Sequence, residues 1–297
     1  MLNIITGVLA PTTPNTFSVD YLVVAGGGNG GTYSGGGGGA GGLRCTVTAT
    51  GGGGSLETAL TLSRITSYAL TVGAGGAGNI TNTKNNGGDS IFSTITSAGG
   101  GAGGQFDAPP LSNGNTGGSG GGAGIYAGGA IGAGTANQGY AGGQTSSAIA
   151  NGGGGGAGAV GVNATPSAAG NGGNGVATSI SGSSVTYAGG GGGSRYTDPG
   201  VSVGAGGTGG GGNAGDTAIA QNGSANTGGG GGGGKYTAVS ADQISGSGGS
   251  GVIILKYADT LTATFSGGVT QSTPAPSGGF KISTITAAGI SDTVSWA

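Results

Sequence analysis

The chain has 297 residues, 85 of them glycine, with no histidine, one cysteine and a formal charge of −2. Charged residues are 5% of it, and Leu, Ile, Val and Phe together about a sixth; that is too little for two ordinary cores and too neutral for charge-driven disorder. An internal disulfide and a Cys/His zinc site are excluded, and seven scattered Lys and Arg residues make no nucleic-acid surface.

Glycine runs recur at 35–39, 51–54, 152–156, 189–193, 209–212 and 228–234, the last with seven glycines in a row. Free linkers of this composition are flexible coil, but regular recurrence points to one packed architecture. Collagen needs glycine at every third position and much proline; this chain has 8 prolines and irregular spacing. The conformation left is the threefold extended helix, with about 3.1 Å rise and no internal hydrogen bonds. Its N–H and C=O groups point outward, and without a Cβ in the way neighbouring runs can pair them. The expected fold is therefore mostly irregular and β: a bundle of packed polyglycine II helices with a small β-subdomain and closing strands. No substantial α-helix is expected, since glycine costs about 1 kcal/mol per residue there.

Residues 1–18 read as an arm, in which Leu2, Ile4, Ile5, Val8 and Leu9 have no evident core and suit docking on a partner. No 18-residue apolar run exists, so no membrane insertion is expected, and Met1–Ala10 lacks the basic start of a signal peptide. Val19–Ala25 is a strand that feeds the first glycine cluster. Period-2 alternation predicts strands at Leu43–Ala49 and Tyr68–Val72, and Ser90–Thr96 is a further strand. Between the first two, Ser55–Ile65 reads as strand or a short helix, with strand and turn the preferred reading. These form an expected β-subdomain over 43–98, with Val47, Leu70, Val72, Ile91, Phe92 and Ile95 as its core. From 99 to 234 glycine-rich segments alternate with loops, one of them at Ser194–Pro199. Gly251–Tyr257 should pair with Val19–Ala25 and close the bundle of residues 19–257. Residues 258–297 form a separate small β-module around Phe265, Phe280, Ile282, Ile285 and Trp296, too small to stand alone.

The blocks DYLVVAGGG (20–28), LTVGAGGAG (70–78), GGDSIFSTITSAGGGAG (87–103) and GGSGVIILKY (248–257) resemble the recurring blocks of glycine-rich domains in phage tail fibres and tail-tip adhesins. The end of the chain, FSGGVTQS (265–272) and GGFKISTITAAG (278–289), is similar to the β-module that accompanies them. The resemblance implies a layered polyglycine sandwich whose variable loops bind the host surface.

The many G-x-G-x-x-G matches are expected by chance here and lack a βαβ context, so no nucleotide is implied. Gly87–Ile91 reads as a turn, because a calcium repeat needs stacked copies. Asp107, Asp198 and Asp216 sit in loops with nothing to bring them together. No histidine can activate a serine, and nine acids in all argue against paired-carboxylate chemistry. No enzyme, cofactor or metal is expected. Aromatic loop tips suit sugar and protein contacts. The receptor-binding candidates are Phe106, Asp107, Pro109, Tyr126, Tyr140, Arg195, Tyr196, Asp198, Lys235 and Tyr236.

The sequence thus predicts a non-enzymatic protein of a virion surface that binds a host glycan or protein. Other virion proteins would hold it through the arm and the C-terminal module, with a homo-oligomer left open. A purely structural virion part, such as a capsid decoration or fibre connector, is the alternative. An ice-binding protein is a third reading, on Thr-x-Thr at 46–48, 81–83, 94–96 and 284–286, but these are simply outward strand positions.

Overall fold

Polyglycine dictates most of the architecture in the computed structural model, which describes residues 15–81, 83–125, 129–146, 149–196, 200–216, 218–236 and 244–297. Run 25–31 shows the rule. Ala25, Gly28 and Gly31 donate to Gly42, Gly39 and Gly36; Gly26 and Asn29 donate to Gly88 and Asn85; Gly27 and Gly30 donate to Gly249 and Gly246, all at 2.9–3.0 Å. Successive residues face three neighbours in rotation, as a three-residue turn requires. Its carbonyls accept from three more runs, at Gly76, at Gly100 and Gly103, and at Gly231 and Gly234. One run therefore sits among six, in a hexagonal lattice held by backbone bonds. A Cβ on Gly27, Gly30, Gly37 or Gly231 would lie 1.9–2.1 Å from a neighbouring carbonyl oxygen, so the spacing requires glycine.

The runs alternate in direction. Those at 25–31, 98–104, 119–125, 188–194 and 228–234 lead away from the strands, and those at 35–42, 112–118, 151–157 and 244–251 return. Asparagine completes the bonding where runs reach the surface. Asn113 Oδ1 accepts from Ala130 N–H while Gly114 N–H donates to Ala130 O, so two adjacent residues hold both backbone groups of one neighbour. Asn163–Ala164 on Gln144, Asn171–Gly172 on Ala205, Asn174–Gly175 on Thr208 and Asn222–Gly223 on Ser247 repeat this clamp.

The strands gather at one end. In chain order they are β1 (Thr16–Val24), β2 (Leu43–Cys45), β3 (Leu60–Ser63), β4 (Tyr68–Thr71), β5 (Ser90–Phe92), β6 (Ile95–Ser97) and β7 (Val176–Thr178). There follow β8 (Val185–Tyr187), β9 (Val252–Ala258), β10 (Ala263–Phe265), β11 (Thr270–Ser272), β12 (Phe280–Ala287) and β13 (Thr293–Trp296). All pairings are antiparallel, and no helix occurs among the described residues. One sheet runs β11-β12-β9-β1-β2 with β3 also on β1, a second runs β10-β13-β4-β5-β6, and β7 pairs with β8. β1 and β9 join from Val19↔Tyr257 to Val24↔Val252, closing the bundle as their sequences lead one to expect.

Both faces of this pair are covered, which is why YLVV and VIIL are unbroken apolar runs rather than alternating ones. Val19, Tyr21, Val23, Ile253, Leu255 and Tyr257 face a core shared with Leu70, Phe92, Ile285 and Trp296. Leu22, Val24, Val252 and Ile254 face another, shared with Leu43, Cys45, Ile180 and Tyr187. Trp296 is the hub of the first, with ring centroids of Phe17, Tyr257, Tyr68 and Phe92 at 5.4, 5.7, 6.2 and 6.3 Å.

Several expected boundaries move. Residues 16–18 of the arm are strand, paired with β3; Leu2, Ile4, Ile5, Val8 and Leu9 lie outside the described residues. The strand expected to reach Ala49 stops at Cys45, because Thr48 turns the chain with φ +76°. Ser90–Thr96 is a hairpin, turned at Ser93 with φ +54°, and not one strand. The cores expected within 43–98 and 258–297 merge. Phe92, Leu70, Ile95, Ile285 and Trp296 share one cluster, Val47 and Ile282 pack on the other, and Phe280 is exposed beneath the Lys256 ammonium. Ser194, expected in a loop, is fully buried in the lattice.

Candidate functional site

Because outward and return runs alternate, the runs that end at residues 31, 78, 104, 144, 163, 194, 215 and 234 finish at the end opposite the sheets. Among the expected contacts, Phe106, Asp107, Pro109, Arg195, Tyr196, Lys235 and Tyr236 belong to this far end; Tyr126 and Asp198 lie outside the described residues. Tyr140 sits at the opposite end. It follows the turn at 135–138, donates its N–H to Gly156 O, and has its hydroxyl against Gly53.

Three connections converge for a lattice reason. Gly36 N–H donates to Gly104 O, Ser194 N–H to Gly35 O and Ser34 N–H to Gly234 O, at 2.8, 2.9 and 2.9 Å. The runs ending at 104, 194 and 234 thus surround one turn. Two residues beyond each of these ends stands an aromatic ring. Phe106 stacks on Tyr196 at 5.1 Å and 14°, Tyr236 meets Phe106 edge-on at 5.9 Å, and Tyr196 lies 4.8 Å from Tyr236. Tyr236 is exposed and the other two half-buried.

The cluster has a rigid seat. Asn151, fully buried, donates to Ser194 O at 2.6 Å and to Ser34 Oγ at 3.0 Å, and its Oδ1 accepts from Ile125 N–H at 2.7 Å. Tyr196 N–H donates to Ile149 O. Lys84 donates to Pro110 O and, at 2.7 Å, to Asn113 O, clasping the Phe106 connection; burial lowers its pKa. Arg195 pairs with Asp216. Burial and then the neighbouring Tyr236 push the Tyr196 phenol above its ordinary range. Lys84 and Asn151 carried no sequence signal, since nothing local says which carbonyls a side chain will meet. Asp216 was legible only as a loop acid, and no group of three metal-binding side chains occurs among the described residues.

The site is chemically an aromatic patch edged by a cation–carboxylate pair. Beside Asp216 lies a recess of about 330 Å³ lined by Val203, Asn213 and Ile219. At the sheet end a cleft of about 600 Å³ is lined by Arg44, Glu57, Tyr21 and Gln138. There Glu57 accepts from the Tyr21 hydroxyl and, twice at 2.8 Å, from Arg44. Burial and the Glu57 carboxylate raise the Tyr21 pKa.

A family model described as a glycine-rich domain matches residues 6–258. No curated protein and no solved structure matches the chain. With the lattice running from Ala25 to Gly251 inside that span, the chain belongs to the glycine-rich domain family.

Proposed function

We propose that this protein is a non-enzymatic component of a phage virion surface, a tail-fibre or tail-tip adhesin that binds a host-surface receptor through its far-end connections. The observation that carries the reading is the convergence of Phe106, Tyr196 and Tyr236, rings from three separate connections, at the end away from the sheets. Aromatic faces stack on sugar rings or side chains, and Arg195 with Asp216 offers donors and acceptors at the rim. The 258–297 module, at the sheet end, and the N-terminal arm serve as the contacts to other virion proteins. Neither a cofactor nor a metal enters this mechanism.

The test is a virion carrying Phe106→Ala, Tyr196→Ala and Tyr236→Ala together. Losing a central aromatic typically costs about 2 kcal/mol or more, roughly thirtyfold in affinity. Adsorption to host cells should fall at least that far, while the purified variant still melts cooperatively. Wild-type adsorption would leave a structural virion role, capsid decoration or fibre connector, as the better reading. The Thr-x-Thr pairs stand on separate elements, including β12 and the connection after 78, which does not favour an ice-binding plane.

A further inference from the structure

Seven asparagines are followed directly by glycine, among them Asn29, Asn113, Asn151, Asn171, Asn174 and Asn222. In an open polypeptide this pair is self-reactive. The deprotonated glycine nitrogen attacks the asparagine Cγ and a new C–N bond forms. The bond from Cγ to the amide nitrogen Nδ2 breaks, and ammonia leaves. The resulting succinimide takes up one water and opens at either carbonyl, giving aspartate or isoaspartate. Glycine, lacking a side chain, obstructs the approach least.

The lattice engages both reacting groups. At Asn113, Asn174 and Asn222 the next glycine donates its N–H at 2.8 Å, and at Asn171 at 2.9 Å. The asparagine Oδ1 of the same pairs accepts a neighbouring backbone N–H at 2.8–3.1 Å, which holds the carboxamide along the adjacent run. At buried Asn29 and Asn151 the following Gly30 and Gly152 also donate, to Gly246 and Ala123. Ring closure further requires the asparagine to rotate out of the extended threefold conformation.

We propose that these Asn–Gly pairs are latent self-modification sites, closed by the lattice and opened only when runs separate. Isoaspartate adds a carbon to the backbone and breaks the three-residue register, so a modified run does not re-enter the lattice. Aspartate keeps the register, and its carboxylate can accept the same N–H. The modification is therefore a one-way record of lattice opening, whatever the far end binds.

The experiment incubates the full-length protein in mildly alkaline buffer, folded and in denaturant, with peptide mass mapping and an isoaspartate-specific methylation assay. In the folded protein the pairs should react at least about tenfold more slowly, equivalent to about 1.4 kcal/mol of opening free energy. Equal rates in the two states would overturn the proposal. A variant with Asn113→Asp, Asn171→Asp, Asn174→Asp and Asn222→Asp should still fold, whereas isoaspartate-bearing protein aged in denaturant should not. Refolding of that aged protein to the native melting transition would overturn the one-way part.

Discussion

A single methyl group measures how tightly the lattice is closed. On Gly231 it would lie 2.1 Å from Gly246 O, whereas on Gly267, in the C-terminal module, it meets nothing within 4 Å. Overpacking costs about 1–3 kcal/mol, and each lost backbone bond adds about 1. Gly231→Ala should therefore lower the melting temperature by several degrees, while Gly267→Ala stays within about 0.5 kcal/mol of wild type. Thermal melts of the two variants decide it; equal midpoints would mean that the seven-glycine run is not packed. The same contrast explains why Ser194 is a lattice residue: its small side chain lies at a lattice end, and its backbone N–H still reaches Gly35.

Among the elements, one carboxylate ties the end of the β10–β13 pair, which the backbone joins from Ala263↔Trp296 to Phe265↔Val294. Asp292 accepts from Ser266 Oγ at 2.6 Å and from Gly289 N–H at 2.7 Å, and these bonds, the hydroxyl first, hold its pKa below the ordinary value. A depressed folded pKa stabilises above the unfolded value, about 3.9, and that stability is lost as pH falls through the folded value. Wild type should lose urea resistance below about pH 4 more steeply than Asp292→Asn; parallel pH profiles would exclude the linkage. The long strands β1 and β9 were legible because both are unbroken apolar runs beside glycine clusters. The three-residue strands β7, β8 and β11 were not, since their pairing depends on partners that only the fold supplies. Phe106, Tyr196 and Tyr236 stood out as loop aromatics, but their meeting depends on which runs flank Ser34–Gly36, and glycine carries no label for its neighbour. The end that Tyr140 faces was hidden for a related reason, because it follows from counting every reversal before it. The asparagine clamps were hidden too, since nothing local says which backbone groups an asparagine will meet.

For the molecule as a whole, backbone pairing spans the lattice while apolar packing is local. The apolar clusters are confined chiefly to the strands, and the lattice exposes amide groups when it unfolds. Apolar exposure raises the heat capacity of unfolding and polar exposure lowers it. Calorimetry should give a per-residue increment below the usual range of about 12–15 cal/mol/K. A value inside that range would mean that an ordinary core dominates. The lattice also works as a ruler. The runs 98–104, 188–194 and 228–234 have equal span, and Phe106, Tyr196 and Tyr236 each stand two positions past the end, so the three rings emerge at one height. Removing one turn, about 9 Å, from a single run would preserve its kinds of bonds yet draw its ring below the others. The height of the tip is therefore set by the lengths of the rods beneath it, and its chemistry by the residues that cap them.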